Sequence, residues 1–454
     1  MAQTIIVNAG ARLDRLPISA FHRRIFGLVG AGMFFDGYDL YVGATVLGST
    51  VQSGFSTLAQ NAQFISLTFL GMTIGALVAG FLGDRFGRRF TYQFNLMIFG
   101  LASLAAAFAP DMGVLNALRF VMGLGLGAEI VVGYSTVTEF VPPRTRGRWL
   151  AFMALIVVSG LPATALIGTA TIPTFGWRPM FVLAGVGALI VWYLRKNLPE
   201  SPRWLEAQGR NDAAEALLQA IEAEAAKALP AGGSLPPPAP AAAAPSIRPL
   251  GALFRPPLLA SLVVGSIVLI VVNTLIFGFV VWLPTFFVKQ GLSVTQSFAY
   301  TLVIVLGSPL GCAIGAFACD ALGRRRTIIA ASAATIVLGA AYPFVSTEPG
   351  LLLGVGFCLI VAIYVQVAVL FGVYTPELFP TELRLRGNGI CNTLGRAATI
   401  VSPFAVVALF GHYGVAGVLG LMIGLLLIQI VAVAGWGVEP AGRRLEEVGA
   451  SGAG

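Results

Sequence analysis

The sequence has little charge and few of the residue types on which enzymes and metal sites depend. Only 11% of its 454 residues are charged, whereas a soluble domain carries about 25%. It has two histidines, His22 and His412, and four cysteines without metal-like spacing, which argues against a catalytic or metal cluster. No charge occurs between Leu40 and Gly83, so no soluble core explains that stretch. We therefore expect no enzyme, no cofactor and no metal.

Long apolar runs fill most of the chain instead. Hydrophobic residues make up 57% of the sequence, in runs of ~20 residues that can cross ~30 Å of hydrocarbon as helices. We predict an all-α membrane protein of twelve transmembrane helices, arranged as two six-helix, pseudo-symmetric halves around a central cavity. The predicted spans are 25–50, 62–82, 90–109, 114–138, 149–172, 177–195, 258–286, 298–319, 327–347, 350–374, 387–410 and 414–437.

The distribution of the basic residues predicts how the chain crosses the bilayer. The net charge is +8, but most lysines and arginines occur in the termini and in every second loop rather than in a nucleic-acid patch. Only Arg119 and Arg396 lie well inside spans, and Arg178 and Lys289 flank the opposite side. The positive-inside rule then places both termini in the cytoplasm. We expect a multi-pass protein of a bacterial inner membrane, without a removable signal peptide.

The organisation along the chain follows from these spans. An Ala/Pro-rich segment, Pro230–Pro249, cannot bury enough apolar surface to fold and is predicted to be a flexible linker. The predicted units are a cytoplasmic N-terminus (1–24), an N-terminal bundle (25–196), a cytoplasmic loop with the linker (197–257), a C-terminal bundle (258–437) and a cytoplasmic C-terminus (438–454).

Two charged segments recur at equivalent places in the two halves. Asp84–Arg89 follows the second span of the first half, and Asp320–Arg325 follows the second span of the second half. A second pair of matching loops, Glu139–Gly147 and Glu377–Gly387, supports an internal duplication. Many transporters are built from such repeats.

The repeated segments predict a latch on the cytoplasmic side. A carboxylate at a helix end can cap a neighbouring helix or pair with nearby arginines, and such pairs can hold one conformation closed. The alternative is that the arginines only set topology. The predicted latch residues are Gly83, Asp84, Arg85, Gly87, Arg88, Arg89, Glu139, Arg146, Asp320, Gly323, Arg324, Glu377 and Arg386.

Three motifs resemble a known family. The segment from Gly80 to Arg89 (G-x-L-G-D-R-x-G-R-R) resembles the loop 2–3 signature of the major facilitator superfamily, although Ala321 replaces the first arginine in the second copy. Pro199–Leu205 looks like the signature after span 6 of the sugar-porter-like branch. Asp36–Asp39 is similar to the aromatic acid:proton and metabolite:proton symporters. The resemblance implies secondary active transport by alternating access.

Ionisable residues deep in a span are functional-site candidates. Asp36 and Asp39 share a face of span 1, and two close carboxylates in a medium of low dielectric cannot both stay ionised easily, which suits a proton-coupling site. Arg119 precedes glycines that allow close packing, and it can pair with deprotonated Asp39. In proton-coupled sugar porters the corresponding acid and arginine have this role, and the alternative is a permanent structural pair. Glu129 either relays protons or pairs with a cytoplasmic arginine.

Arg396 is the strong cation inside the second half, where few acids are available to neutralise it. It resembles the anion-binding position of aromatic-acid and organic-anion transporters, and its planar fork fits a carboxylate; the alternatives are snorkelling or pairing with Glu377. Aromatic and polar residues within the spans complete the predicted binding pocket. They are Tyr38, Tyr134, Asn273, Trp282, Tyr364, Gln366 and Asn392.

The sequence therefore predicts a proton-coupled symporter of a small organic anion, most readily an aromatic carboxylate. The alternatives are symport of a neutral, sugar-like metabolite and proton-driven efflux by antiport. Sodium remains open as the coupling ion, although the low charge density favours H⁺. We expect a monomer whose partners are the lipid bilayer and a small-molecule substrate, with no nucleic acid.

Overall fold

The protein is almost entirely helical. The computed structural model describes residues 7–229, 234–238, 250–256, 258–345, 348–379 and 383–439, and these contain no β strand. The predicted all-α class is confirmed. Most of the predicted linker and the C-terminal tail from residue 440 onwards lie outside these residues.

A short helix and six long helices form the first half of the chain. Each long helix corresponds to one predicted span. Helix ends follow local capping: at the start of the second long helix, the Thr57 hydroxyl accepts a hydrogen bond from the Gln60 N–H (3.2 Å). The helices are α1 (Ala9–Asp14), α2 (Ala20–Gln52), α3 (Leu58–Phe86), α4 (Arg88–Ala106), α5 (Met112–Phe140), α6 (Pro143–Phe175) and α7 (Arg178–Leu194).

Two helices, α8 (Pro202–Ala207) and α9 (Asn211–Ala226), follow the first half. They pack with α1 in one apolar cluster at the end of the bundle, which includes Leu13, Phe140 and Leu218. This end of the first half is called the terminal face below. The N-terminal segment is thus a packed element rather than a plain tail.

The second half has the same order of spans, but its helices are more broken. Spans 7 and 8 are each built from two helices. Helix α17 contains both span 11 and span 12, which are separated by a kink at Gly414 (φ 63°, ψ −156°). A π-helical turn, Leu370–Tyr374, extends span 10. The helices are α10 (Leu258–Gly278), α11 (Leu283–Lys289), α12 (Val294–Val305), α13 (Gly307–Ala321), α14 (Arg324–Ala341), α15 (Pro349–Val369), α16 (Thr375–Glu377) and α17 (Arg384–Trp436).

Eight helical segments of the described chain are long and apolar enough to cross a membrane. One of them, Arg386–Trp436, contains two spans, and Arg178–Leu194 is a shorter apolar helix. Helix α2 contains two aspartates, and α4 contains several polar residues, which explains why neither is among the eight. Together these helices account for the predicted twelve.

Small residues let helices pack closely at equivalent places in both halves. Gly123 and Gly127 of α5 face the α3 backbone at Thr68 and Met72, where any side chain would collide with a carbonyl group. In the second half, glycines of α13, such as Gly311, face the backbone of α15 in the same manner. Such close approach is typical of helix pairs in membranes.

Pairs of helices, one from each half, form the interface between the two halves. Helix α2 packs on α11, α3 on α17, and α6 on α12. Gly48 of α2 faces Pro284, and the Ser66 hydroxyl of α3 donates to the Ile400 carbonyl of α17 (2.6 Å). This interface brings Arg396 of α17 next to the first half.

Candidate functional site

The first element of the site is a fully buried ion pair between α5 and α2. Arg119 and Asp39 are 1% and 0% exposed, and Arg119 Nη1 pairs with Asp39 Oδ2. The guanidinium also donates to the Asp39 carbonyl (2.8 Å) and to the Thr68 hydroxyl (2.8 Å), and it lies 4.8 Å from the centre of the Phe64 ring. The structure thus brings this predicted pair together, and its switching during transport stays a prediction.

Asp36 lies one turn of α2 away from this pair. It is 2% exposed, and neither of its carboxylate oxygens has a hydrogen-bond partner among the described residues. It lies within electrostatic range of Asp39, Glu129 and Arg195. A buried carboxylate without a partner is costly in its charged form.

A second fully buried ion pair lies closer to the terminal face. Arg195 Nη1 pairs with Glu129 Oε1, and the two side chains are 0% and 1% exposed. Arg195 also donates to the backbone carbonyls of Leu28 (2.7 Å) and Val29 (2.7 Å) on α2. The predicted alternative in which Glu129 pairs with an arginine is therefore what the structure shows; a relay role stays a prediction.

Two further residues shape the surroundings of Arg195. Gly32 of α2 lies against the guanidinium and against Glu129, so that any side chain at this position would collide with the pair. The Tyr92 ring of α4 lies 4.8 Å from the guanidinium carbon of Arg195. Sequence reasoning missed Arg195, because it stands at the end of an apolar span and was grouped with the basic loops. The unmatched Glu129 was the signal that a buried arginine was needed.

Arg396 lies on α17 at the interface between the halves. Its Nη1 donates to the Met72 carbonyl of α3 (3.2 Å), and no carboxylate forms an ion pair with it in the described part of the chain. The predicted alternative of a pair with Glu377 is not what the structure shows, because that carboxylate binds Arg324 (3.1 Å). The remaining donors of Arg396 are available to an anion.

A series of aromatic side chains in mutual contact crosses the same interface. Phe69, one turn before Met72 on α3, packs against Phe277 of α10 with ring centroids 4.3 Å apart. Phe277 stacks on Tyr41 of α2 (6.4 Å), and Tyr41 interacts with Tyr364 of α15. Four helices from both halves thus contribute rings to one chain of contacts that begins one turn from Met72, and Tyr364 is a predicted pocket residue.

Two other predicted pocket residues also lie near Arg396. Asn273 of α10 faces Gly395, its neighbour in the chain, and donates to the Leu269 carbonyl (2.7 Å). Asn392 precedes Arg396 by one turn of α17 and donates to the Asn388 carbonyl (2.9 Å). Both amides keep acceptor or donor capacity for a ligand.

Three predicted pocket residues make other contacts. The Tyr38 hydroxyl donates to the Met180 carbonyl of α7 (3.4 Å), inside the first half, and Tyr134 packs against the apolar cluster of the terminal face. Trp282 stacks on Phe286, with ring centroids 6.2 Å apart. These placements do not bring the three residues to Arg396, and no finding tests their predicted role.

Gln366 belongs to a polar network inside the second half. Its Nε2 donates to the Thr335 hydroxyl (2.9 Å), and its Oε1 accepts from Gln429 Nε2 (2.7 Å) and from the Ser332 hydroxyl (3.3 Å). The four side chains lie on α14, α15 and α17 and are buried. Their mutual hydrogen bonds account for a polar cluster at this depth without a ligand.

The repeated charged segments form the same contacts in both halves. Arg88 pairs with Glu139 (3.0 Å) and donates to the Gly83 carbonyl (2.7 Å). In the second half Arg324 pairs with Glu377 (3.1 Å) and donates to the Cys319 carbonyl (3.1 Å). These ion pairs join residues of the same half, so each stabilises its own bundle in this structure.

A second carboxylate completes each repeat. Glu200 accepts from the N–H groups of Arg88 (2.9 Å) and Arg89 (3.3 Å), at the start of α4. Glu439 accepts from the N–H groups of Arg324 (3.0 Å) and Arg325 (2.9 Å), at the start of α14. A carboxylate at a helix N-terminus satisfies unpaired N–H groups and the helix dipole. Sequence reasoning missed both roles, although each glutamate follows the sixth span of its half.

The other predicted latch residues are distributed around these contacts. Gly87 (φ 92°) and Gly323 (φ 87°) have the positive φ that the tight turns between helices require. Arg85 lies 5.6 Å from the Phe86 ring centre, and Arg146 pairs with Asp14 (3.3 Å). Arg386 is exposed at the start of α17. The side chains of Asp84 and Asp320 lie outside what the structure describes, so the latch stays a prediction.

This arrangement agrees with what comparison with known proteins shows. Residues 29–403 match the Major Facilitator Superfamily. The chain belongs to this family. It is therefore a multi-pass integral membrane protein of a transporter family rather than an enzyme.

Two relatives match this chain over almost its whole length. It is 39% identical over 449 residues to the inner membrane metabolite transport protein YdjE of Escherichia coli (strain K12), covering 97% of this chain and 98% of that protein. It is 33% identical over 443 residues to the niacin transporter NiaP of Acinetobacter baylyi, covering 97% and 99%.

The fold of this chain is similar to that of solved structures. The partially occluded, inward-open conformation of the xylose transporter XylE from E. coli is similar to this chain with a TM-score of 0.71 at 18% identity, covering 94% of this chain and 100% of that one. At this identity the similarity shows the fold alone. The predicted twelve-helix architecture of two halves is confirmed.

Proposed function

We propose that this transporter couples the uptake of an aromatic carboxylate to the entry of a proton. The observation that carries the proposal is the division of buried charge between the two halves. The first half holds Asp36 without a partner beside the Arg119–Asp39 pair, and the second half holds Arg396 without a carboxylate among the described residues. A buried acid that binds protons and a partly buried cation that binds anions are what such a symporter requires.

The surroundings of Arg396 favour a flat, aromatic anion. Phe69, Phe277 and Tyr41 are buried and pack on one another at the interface where Arg396 reaches α3. Offset or edge-to-face packing on such rings stabilises an aromatic ligand by about 0.5–1.5 kcal/mol beyond the burial of its surface. A guanidinium at an interface that also contains these aromatic side chains therefore favours a benzoate- or pyridine-carboxylate-like substrate over a sugar.

The names of two relatives are consistent with this substrate class. The 33% identical relative is named a niacin transporter, and a 29% identical protein of Bacillus subtilis is named a putative niacin/nicotinamide transporter. Niacin is an aromatic carboxylate. The similarity to these proteins supports the class, and it does not identify the substrate of this chain.

The coupling follows from charge balance. An anion bound at Arg396 and a proton bound at Asp36 or Asp39 enter together without adding net charge to the centre of the protein. When Asp39 is deprotonated, its carboxylate is free to pair with Arg119, as in this structure. The proton and the substrate thus each change which contacts are stable, and together they permit the two halves to rock.

The test is uptake by the purified chain in proteoliposomes. We expect radiolabelled benzoate or nicotinate to accumulate when the outside is more acidic than the lumen, and xylose not to accumulate. Asp39→Asn should abolish accumulation driven by the gradient and spare exchange. Unchanged acid-driven accumulation in this variant would remove the coupling assignment. Transport of xylose without any carboxylate would contradict the substrate class.

The location and state of the protein complete the proposal. We expect a monomer in the inner membrane of a bacterium, with both termini in the cytoplasm. H⁺ is the expected coupling ion, and we expect no cofactor. Labelling of single cysteines placed in α1 and α9 from either side of intact vesicles would test the orientation.

A further inference from the structure

The buried charges of the first half form one cluster with an excess of acid. In the described residues it holds the carboxylates Asp36, Asp39 and Glu129 and the guanidiniums Arg119 and Arg195. Each guanidinium binds one carboxylate, and Asp36 is left over. The cluster is neutral when it holds one proton. A low-dielectric interior penalises net charge strongly, so the cluster is built to hold that proton.

The geometry of α2 places Asp36 between the two ion pairs. Asp39 lies three residues, or about 4.5 Å, further along the helix. Gly32, which touches Arg195 and Glu129, lies one turn in the other direction. Side chains on a helix lean towards its N-terminus, so Asp36 leans over Gly32 and the second pair. The Asp39 and Glu129 carboxylates each keep one oxygen without a partner.

The environment of Arg195 explains why it does not neutralise Asp36. Its donors are used by Glu129 and by the carbonyls of Leu28 and Val29. The Tyr92 ring covers it at 4.8 Å. A guanidinium fixed by several acceptors on two helices cannot turn to another carboxylate without losing these hydrogen bonds.

The other neighbours of Asp36 among the described residues carry no competing charge. Helix α6 meets α2 at Gly37 through the backbone of Val157, and α7 meets it through Gly187 against Phe35. The titratable groups that face the cluster are otherwise tyrosines, Tyr92 on α4 and Tyr38 on α2. The protonation of Asp36 is therefore governed by the two pairs.

We propose that Asp36 carries the coupled proton, and that Arg195 is a positioning residue that, by holding Glu129, leaves Asp36 without a cation. This inference rests on the proposed proton coupling and assigns its proton to one carboxyl group. Arg195 touches neither the substrate nor the proton in this scheme. It sets the charge that Asp36 senses.

The two members of the second pair then have opposite effects on pH dependence. In Glu129→Gln, Arg195 loses its carboxylate and becomes the counter-ion of Asp36, which therefore binds its proton only at lower pH. In Arg195→Gln, a nearby positive charge is lost and Glu129 becomes a second buried carboxyl group without a cation, so Asp36 keeps its proton to higher pH. We expect shifts of about one pH unit in each direction. A purely structural role would lower the rate without opposite shifts.

Glycine variants test the same pair without removing a charge. The side chain of Gly32→Ala would displace the Arg195 guanidinium from Glu129, so this variant should shift in the same direction as Arg195→Gln. A side chain at Gly27, on the same helix, would meet nothing within 4 Å. Gly27→Ala is therefore the matched control, and it should keep the wild-type profile.

The experiment measures uptake of radiolabelled nicotinate or benzoate by reconstituted full-length protein from about pH 5.5 to 9. We expect Glu129→Gln to move the half-maximal pH down, Arg195→Gln and Gly32→Ala to move it up, and Arg195→Lys to restore most of the profile. We expect Asp36→Asn to exchange substrate without pH dependence.

Shifts in the same direction for Glu129→Gln and Arg195→Gln would overturn the inference, as would a wild-type pH profile in Asp36→Asn. If Arg195→Gln does not fold, Arg195→Lys and Gly32→Ala still decide the matter, because an unshifted Gly32→Ala would also overturn it. A wild-type protein that accumulates no carboxylate under a pH gradient would instead refute the proposed function, which separates the two failures.

Discussion

Replacement of Arg396 should weaken the binding of a carboxylate much more than that of its neutral amide. In the structure one donor of this guanidinium binds the Met72 carbonyl (3.2 Å), and no described carboxylate pairs with it. The remaining N–H groups are therefore available to the substrate. Arg396→Gln removes the positive charge and the planar fork, but it keeps a polar side chain with a hydrogen-bond donor.

The magnitude follows from the strength of hydrogen bonds to charged groups. Such bonds contribute about 1.5–3 kcal/mol each, and about 1.4 kcal/mol corresponds to a tenfold change in affinity. We expect the apparent Kd or KM for nicotinate to rise about 10- to 100-fold in Arg396→Gln. Arg396→Lys should give a smaller increase, because an ammonium keeps the charge and loses the fork.

The assay compares an aromatic acid with its amide on the same protein. Competition by nicotinate and by nicotinamide against labelled substrate is measured in wild type and in Arg396→Gln. The control is Arg178→Gln, because Arg178 also binds a backbone carbonyl (Ala109, 3.1 Å) and lies over an aromatic ring, 4.6 Å from Trp177, at the far end of α7. Equal losses for acid and amide, or no loss for either, would refute the role of Arg396 in anion binding.

Two further predictions concern the terminal face. Gly87→Ala should destabilise the first half by about 2 kcal/mol, because φ is 92° and the new side chain would collide with the Glu200 carboxylate that caps α4; thermal unfolding in detergent measures this. Hydrogen bonding to Arg12 holds the pKa of Glu222 below its ordinary value, so this contact stabilises the docking of α1 above the ordinary glutamate pKa and is lost as the pH falls through the lowered one. Hydrogen exchange of α1, corrected for the intrinsic rate, should therefore rise in acid, and in Glu222→Gln it should rise at neutral pH as well.

Each of these predictions has a matched control. Gly54 also has a positive φ (73°), but a side chain there would meet nothing within 4 Å. Gly54→Ala therefore measures the backbone cost alone, and an equal effect of both variants would contradict a role for Glu200. Glu224 pairs with Arg24, which is 59% exposed. Such exposed pairs contribute little, so protection of α1 in Glu224→Gln should match wild type, and equal losses in both glutamate variants would contradict the Glu222 contact.

The sequence was sufficient for the architecture, because transmembrane helices are defined by length and hydrophobicity. All twelve predicted spans correspond to helices, and the duplicated segments occupy equivalent turns at Gly87 and Gly323. The breaks within spans 7 and 8 were not predicted. Gly278 and Pro284 flank the 3₁₀ turn Val280–Trp282, and Gly307 and Pro309 lie at the break of span 8, but such residues do not by themselves break a span, since Pro162 lies inside the continuous helix α6.

The buried site was predictable only in part. The Arg119–Asp39 pair could be anticipated, because both residues interrupt apolar spans and strong charges inside a membrane need partners. Arg195 could not be placed, because its depth depends on how α7 ends against α2. The caps formed by Glu200 and Glu439 join residues more than a hundred positions apart. No local pattern reveals such contacts.

The structure also places the predicted pocket residues in two different surroundings. Tyr364 and Asn273 lie near the interface of the halves, whereas Tyr38 and Gln366 point into single bundles. The sequence identifies which residues in a span are polar or aromatic. Which face of the helix meets the other half depends on rotation and tilt, which neighbouring helices determine.

The most direct test of the account is whether a proton crosses with the carboxylate. Proteoliposomes containing a pH-sensitive dye are voltage-clamped with potassium and valinomycin, and nicotinate or benzoate is added outside at equal pH. We predict acidification of the lumen at about one proton per carboxylate beyond that of protein-free liposomes, with none for Asp36→Asn. Entry of the labelled carboxylate without any change in luminal pH would contradict proton-coupled symport through the buried acids.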